Sequence, residues 1–111
     1  MIVVTRFDVA DSEAADFQPQ AEAALAAFAA RPGFVRGRIG RSPDEPAAWL
    51  LLTEWESVGA YRRSLSSYDV KVDAVTLLGR GRDEVSAFEV VHAQDAAQPP
   101  AASPSERSGW R

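Results

Sequence analysis

The amino-acid sequence predicts an α+β fold of ferredoxin-like plan, strand, helix, strand, strand, helix, strand, in which both helices cover one face of an antiparallel four-stranded sheet. Three observations predict it. Strand-like runs and helical stretches follow one another in that order along residues 1–92. The block from Arg31 to Arg63 passes from a helix stop through strand, short loop and strand to a helix cap without a spare residue. The third strand is apolar on both faces, as an interior strand is.

Residues 1 to 9 combine β-branched and aromatic types, with an Ile2 to Val4 centre, and Asp11-Ser12 bounds them as a first strand. From Ala14 to Ala30, Phe17, Ala21, Ala24, Leu25 and Phe28 form the stripe of an amphipathic helix. A cap at Asp16 would put Pro19 in the first turn, where no hydrogen bond is lost, whereas an earlier start would bend the helix. Arg31-Pro32-Gly33 stops it, because proline cannot continue a helix and glycine takes the left-handed conformation such ends use. The second strand runs from Phe34 to Arg41, with Val35, Gly37 and Ile39 on one face and Arg36, Arg38 and Gly40 on the other. Ser42-Pro43-Asp44-Glu45-Pro46 makes the loop into a third strand, Ala47 to Trp55. Ser57 is placed to cap a helix carrying Val58, Tyr61 and Leu65, and a further helical stretch spans Val70 to Leu78. After the Gly79-Arg80-Gly81 turn, Val85 to His92 reads as the last strand. Residues 93–111, rich in Ala, Pro, Ser and Gln, read as a flexible tail with Trp110 near its end.

Composition narrows the chemistry. A formal charge of -4 argues against nucleic acid or an anionic membrane as partner. Cysteine is absent, and a single histidine, His92, leaves no ordinary zinc site. The start, Met1-Ile2-Val3-Val4-Thr5-Arg6-Phe7, is charged too early for a signal peptide or a span, so a cytoplasmic protein is expected. Helices cover one sheet face only, and the first and third strands are too apolar to leave the other in water. A homodimer packed face to face is the economical solution.

Arg31-Pro32-Gly33-Phe34, the run Trp49 to Leu52, Thr53-Glu54-Trp55-Glu56-Ser57 leading into the second helix, and Tyr68-Asp69-Val70-Lys71 together resemble the antibiotic biosynthesis monooxygenase family of dimeric α+β barrels. The resemblance covers residues 1 to 92. It implies a homodimer and, in the cofactor-free members, oxygenation of a small aromatic or quinol-type metabolite that itself reduces oxygen in a dry pocket. Haem-degrading members resemble one another in an asparagine, a tryptophan and a histidine, whose positions fall at Thr5, at Ser64 and at or near Ala74. None is retained here and the chain has no asparagine, so haem degradation is disfavoured and no cofactor or metal is expected.

Within that frame Thr5, on the face of Val3 and Phe7, is a candidate to hold a substrate oxygen in the cavity the resemblance implies. Tyr68, as donor or stacking ring, and His92, as acid or base near neutral pH, are the other catalytic candidates. Arg36 and Arg38 offer bidentate donors to an acidic group, Trp49 and Trp55 share one face as aromatic walls, and Ser64 stands where related proteins carry a histidine. Each has a plain alternative: strand packing for Thr5, Trp49 and Trp55, a solvated or dimer-bridging place for the arginines, an incidental one for His92. Ser64 lacks a base to activate it. Gly79-Arg80-Gly81-Arg82 lacks the lysine and helix of a phosphate loop and reads as a turn. Glu54, Glu56, Asp69 and Asp73 are carboxylates available for general-base work. A non-catalytic barrel that binds a metabolite or only dimerises is the rival reading.

Overall fold

The computed structural model describes residues 1–97. Its sheet consists of β1 (Ile2–Asp8), β2 (Phe34–Arg41), β3 (Ala48–Trp55) and β4 (Ala87–Phe88), all antiparallel in the order β2-β3-β1-β4. That is the ferredoxin-like order, with the two most apolar strands in the middle. The β1–β3 register sets Val3 opposite Thr53, Thr5 opposite Leu51 and Phe7 opposite Trp49. Residues directly opposite share a face, so these six side chains stand together under the helices. Ile2, Val4, Arg6, Leu50, Leu52 and Glu54 occupy the opposite, helix-free face.

Helix α1 (Ala14–Ala29) crosses the covered face and buries Phe17, Ala21, Ala24, Ala27 and Phe28. The alanines let its backbone approach the sheet, and Leu25 reaches the open space above Gly37, where any Cβ would clash with it. Phe7 packs on Phe17, Phe17 on Trp49, and Phe28 and Phe34 each meet the Trp55 ring edge to face. Burying an aromatic side chain of this kind contributes roughly 1.5–3 kcal/mol, so this row is the main source of stability. At one end the Trp55 indole N–H donates to Thr53 Oγ1 at 2.9 Å, which satisfies a donor that water cannot reach.

Helix α2 (Val58–Ser64) starts where Ser57 Oγ accepts from the Ala60 amide at 3.0 Å. A third helix, α3, covers residues 68–78 in three pieces: α-helical Tyr68–Val70, a π-helical turn Lys71–Val75 and α-helical Thr76–Leu78. Its start is capped by Ser67 Oγ, which accepts from the Val70 amide.

Three expectations from the sequence change, and a fourth falls outside the described residues. Helix α1 begins at Ala14 after a short 3-10 turn (Asp11–Glu13), not behind a cap at Asp16, so Pro19 lies inside the helix. Val35 does not face the helices: the β2–β3 register shifts between Phe34 and Arg36, a bulge that turns Val35 outward and gives its inward place to Phe34. The last strand pairs only over Ala87 and Phe88, leaving Val85 and Val91 exposed. The segment before it is instead held to β1 by Arg82 N–H to the Arg6 carbonyl and Val4 N–H to the Ser86 carbonyl. Trp110 and the remainder of the tail beyond residue 97 lie outside the described residues.

Candidate functional site

The residues singled out from sequence are not brought together. Thr5, Trp49, Trp55 and Ser64 are buried on the helix side, while Arg36 and Arg38 stand exposed on the helix-free face. Tyr68 is 79% exposed and His92 lies exposed beyond β4. Thr5 shares the face of Val3 and Phe7 as expected, yet no chamber opens beside it. Phe7, Phe17 and Trp49 fill one end of the interior and Phe28 and Trp55 the other, and the Gly81 backbone lies so close that a Cβ there would strike Thr5 Cγ2. Ser64 and Ala74 are likewise buried, Ser64 at the floor of a small notch with its Oγ donating to the Tyr61 carbonyl at 2.5 Å.

The concavity with the most varied chemistry is a groove of about 310 Å³ between α1 and α3. Ala23, Val72 and Leu77 give it apolar walls, and Gln20, Asp73, Thr76 and Arg80 bring an amide, a carboxylate, a hydroxyl and a guanidinium. The π-helical turn contains both Val72 and Asp73. Such turns insert a residue into the helical repeat, re-aim the side chains around them and are frequent at functional sites. Arg80 is held in place: it donates to Gln20 Oε1 at 3.0 Å, lies 4.0 Å from Glu13 and covers the Phe17 ring at 5.7 Å. The groove therefore offers apolar contact to a flat body, with a carboxylate, a hydroxyl and a guanidinium in the same lining.

A second hollow, about 390 Å³, lies at the β2–β3 end of the sheet among Arg6, Gly40, Arg41, Ser42, Ala48, Trp49 and Leu50. Arg41 stacks over the Trp49 ring at 4.9 Å and donates to the Pro46 carbonyl at 2.7 Å, and the Trp49 indole N–H is buried without an acceptor. Along the β1 edge Arg6 forms a bidentate pair with Glu84 (2.7 and 2.8 Å), and Arg82 grips Asp8 at 2.7 Å. Hydrogen bonds from these guanidiniums hold the Asp8 and Glu84 carboxyls below their ordinary range and raise the arginines in turn. Burial raises the Tyr61 phenol. Among the described residues no group of His, Cys, Asp and Glu could hold a metal ion, and no helix is long and apolar enough to cross a membrane.

Sequence reasoning named Asp73 among available carboxylates but gave Gln20, Thr76 and Arg80 no role in a site. The i to i+3 spacing of Asp73 and Thr76 was a usable signal; the partnership with Gln20 was not, because it joins residues 60 apart in sequence to Arg80.

The profile of the family described as antibiotic biosynthesis monooxygenase matches residues 1–72. No curated protein matches the chain. Among solved structures, SnoaB, a cofactor-independent oxygenase from Streptomyces nogalater, is 26% identical over 86% of this chain and 93% of its own, with a TM-score of 0.65. A variant of the same oxygenase gives 0.68 over 83% of this chain and 93% of its own, again at 26% identity. A Deinococcus radiodurans protein provisionally named for the same family superimposes with a TM-score of 0.69 over 88% of this chain and 100% of its own at 19% identity, which speaks for the fold alone.

Proposed function

Because the chain belongs to the antibiotic biosynthesis monooxygenase family, we propose that it is a cofactor-independent monooxygenase-like protein acting on a small aromatic or quinol-type compound. The groove between α1 and α3 carries this reading, because its lining joins apolar walls to a carboxylate and a guanidinium. Asp73 takes the proton of a phenolic hydroxyl, Arg80 faces the resulting phenolate, and Ala23, Val72 and Leu77 hold the ring. The electron-rich ring then reduces oxygen itself. Overall a phenol and one O₂ give a quinone and water, one oxygen atom entering each product, so no external reductant is consumed. The similarity to SnoaB supports this class of chemistry.

The fold unit is residues 1–92 with 93–111 appended, the compartment is the cytoplasm, and two copies associate through the helix-free face of Ile2, Val4, Leu50 and Leu52. One observation favours a non-catalytic barrel as second reading: the interior beside Thr5 is filled by aromatic rings, so the place where the resemblance sets a cavity is closed.

Oxygen uptake with a panel of hydroquinones separates the two. The expected result is uptake above buffer that falls at least tenfold in Asp73→Asn and Arg80→Gln, with Thr5→Val and Tyr68→Phe tested alongside. No uptake removes the oxygenase reading. Uptake unchanged in Asp73→Asn and Arg80→Gln but lost in Thr5→Val or Tyr68→Phe moves the site away from the groove.

A further inference from the structure

Away from the groove, the turn after α1 and helix α2 enclose a notch of about 110 Å³ lined by Arg31, Pro32, Ala60, Arg63 and Ser64. We infer that this notch is a binding site for a compact oxyanion, of the phosphate or carboxylate kind, held between the guanidinium groups of Arg31 and Arg63.

The first reason is the state of the two arginines. Arg6, Arg36, Arg41, Arg80 and Arg82 all form ion pairs among the described residues, and neither Arg31 nor Arg63 does. Glu56 reaches the same turn, where its amide donates to the Gly33 carbonyl, yet its carboxylate pairs with neither guanidinium. Arg38 and Arg62 are also without ion pairs, but they line no part of the notch. The second reason is Arg31 Nε, which is buried and has no acceptor among the described residues. A buried donor left unpaired is costly, and more so when it carries charge.

The third reason is how closely the turn that carries Arg31 sits on the helix that carries Arg63. Gly33, at φ 87°, sets the turn so tightly on α2 that a Cβ would clash with Ala60 Cβ. On the other arm, a Cβ at Gly59 would stand 3.1 Å from Arg63 Nη1, so this guanidinium lies back along α2. Ser64 donates its hydroxyl proton to the Tyr61 carbonyl, so the notch offers guanidinium donors and no competing hydroxyl proton. Its volume equals a few waters, at about 30 Å³ each in the liquid, which suits one oxyanion. Arginine forks match the paired oxygens of carboxylate and phosphate. The site is independent of the monooxygenase reading and shares no residue with the groove.

The test is an NMR titration of the full chain with inorganic phosphate and, separately, acetate, at constant ionic strength. The Nε–H resonances of Arg31 and Arg63 and the Gly33 amide are followed. The expected result is a saturable shift with at least one of the two anions, and the one that saturates identifies the source. Affinity falls at least tenfold in Arg31→Gln and Arg63→Gln, and also in Arg63→Lys, which keeps the charge and loses the fork. Arg62→Gln removes the same charge from the neighbouring position and leaves affinity within twofold. Arg63→Lys, which leaves the charge on the helix, serves should the glutamine variants fail to fold. A linear response to both anions, or equal weakening in Arg62→Gln and Arg63→Gln, overturns the proposal.

Discussion

Replacing Gly33 by alanine tests how tightly the turn after α1 is fastened to α2. Two separable penalties apply. Gly33 has φ 87°, and an L-residue there carries strain of about 1–3 kcal/mol. Its new Cβ also meets Ala60 Cβ, and overpacking of this kind costs about 1–3 kcal/mol when the backbone must yield. The sum, about 2–6 kcal/mol, is a large share of the roughly 5–13 kcal/mol expected for a domain of this size at about 0.05–0.15 kcal/mol per residue. Urea unfolding followed by tryptophan fluorescence reads the loss as a lower midpoint at unchanged slope. The same substitution in an Ala60→Gly background separates the terms, since removing the opposing methyl abolishes the clash and leaves the strain. The double-mutant cycle should therefore give a coupling of about 1–3 kcal/mol. A loss below about 1 kcal/mol in the Ala60 background would refute both the conformation and the contact, and no coupling would refute the contact.

Three further outcomes are expected. Thr53→Val leaves the Trp55 indole N–H buried without an acceptor and should cost about 1–3 kcal/mol in the same assay; a neutral result would mean the bond to Thr53 is unimportant. Asp8 and Glu84 have depressed values in the folded chain, so their stabilising part is present above their ordinary values of 3.8 and 4.5 and is lost as pH falls through the lower folded ones. Urea midpoints between pH 6 and 2 should decline less steeply below about pH 4 in Arg82→Gln than in the parent, and parallel curves would contradict the pairing. Light scattering at micromolar concentration should give twice the 12.0 kDa of one chain, and Leu52→Glu on the helix-free face should return the single-chain mass; a parent that is already monomeric would refute the face-to-face dimer.

The hairpin was legible because its punctuation is chemical. Proline and Gly33 end α1, two prolines frame the loop, and Ser57 caps α2, so β2 lies at Phe34–Arg41 as read and the cap forms as read. What escaped depends on partners distant in sequence. The bulge at Val35 comes from Phe34 competing for the space beside Trp55, and no glycine marks it. The segment from Val85 to His92 has strand-forming residues, but it lies at the sheet edge, and the ion pairs of Arg82 and Glu84 fix the chain before it. The π-helical turn is invisible to periodicity, because one inserted residue over a single turn barely alters a helical stripe. The candidate site follows the same division. Asp73 was legible as a free carboxylate, whereas its groove exists only because α3 lies against α1.

The two tryptophans of β3 give this fold a built-in pair of optical reporters. Six residues separate them along one strand, about 20 Å at the usual rise. Trp55 sits among Phe28, Phe34 and Tyr61 with its N–H engaged, and Trp49 lies between Phe17 and the Arg41 cation with its N–H unengaged. Fluorinated tryptophan, introduced into a Trp110→Phe chain, thus yields two resonances in unlike surroundings, one at the α2 end of the core and one at the hairpin end. A ligand in the notch should perturb the first and one in the hollow beside the hairpin the second, so one spectrum distinguishes events at opposite ends of the molecule.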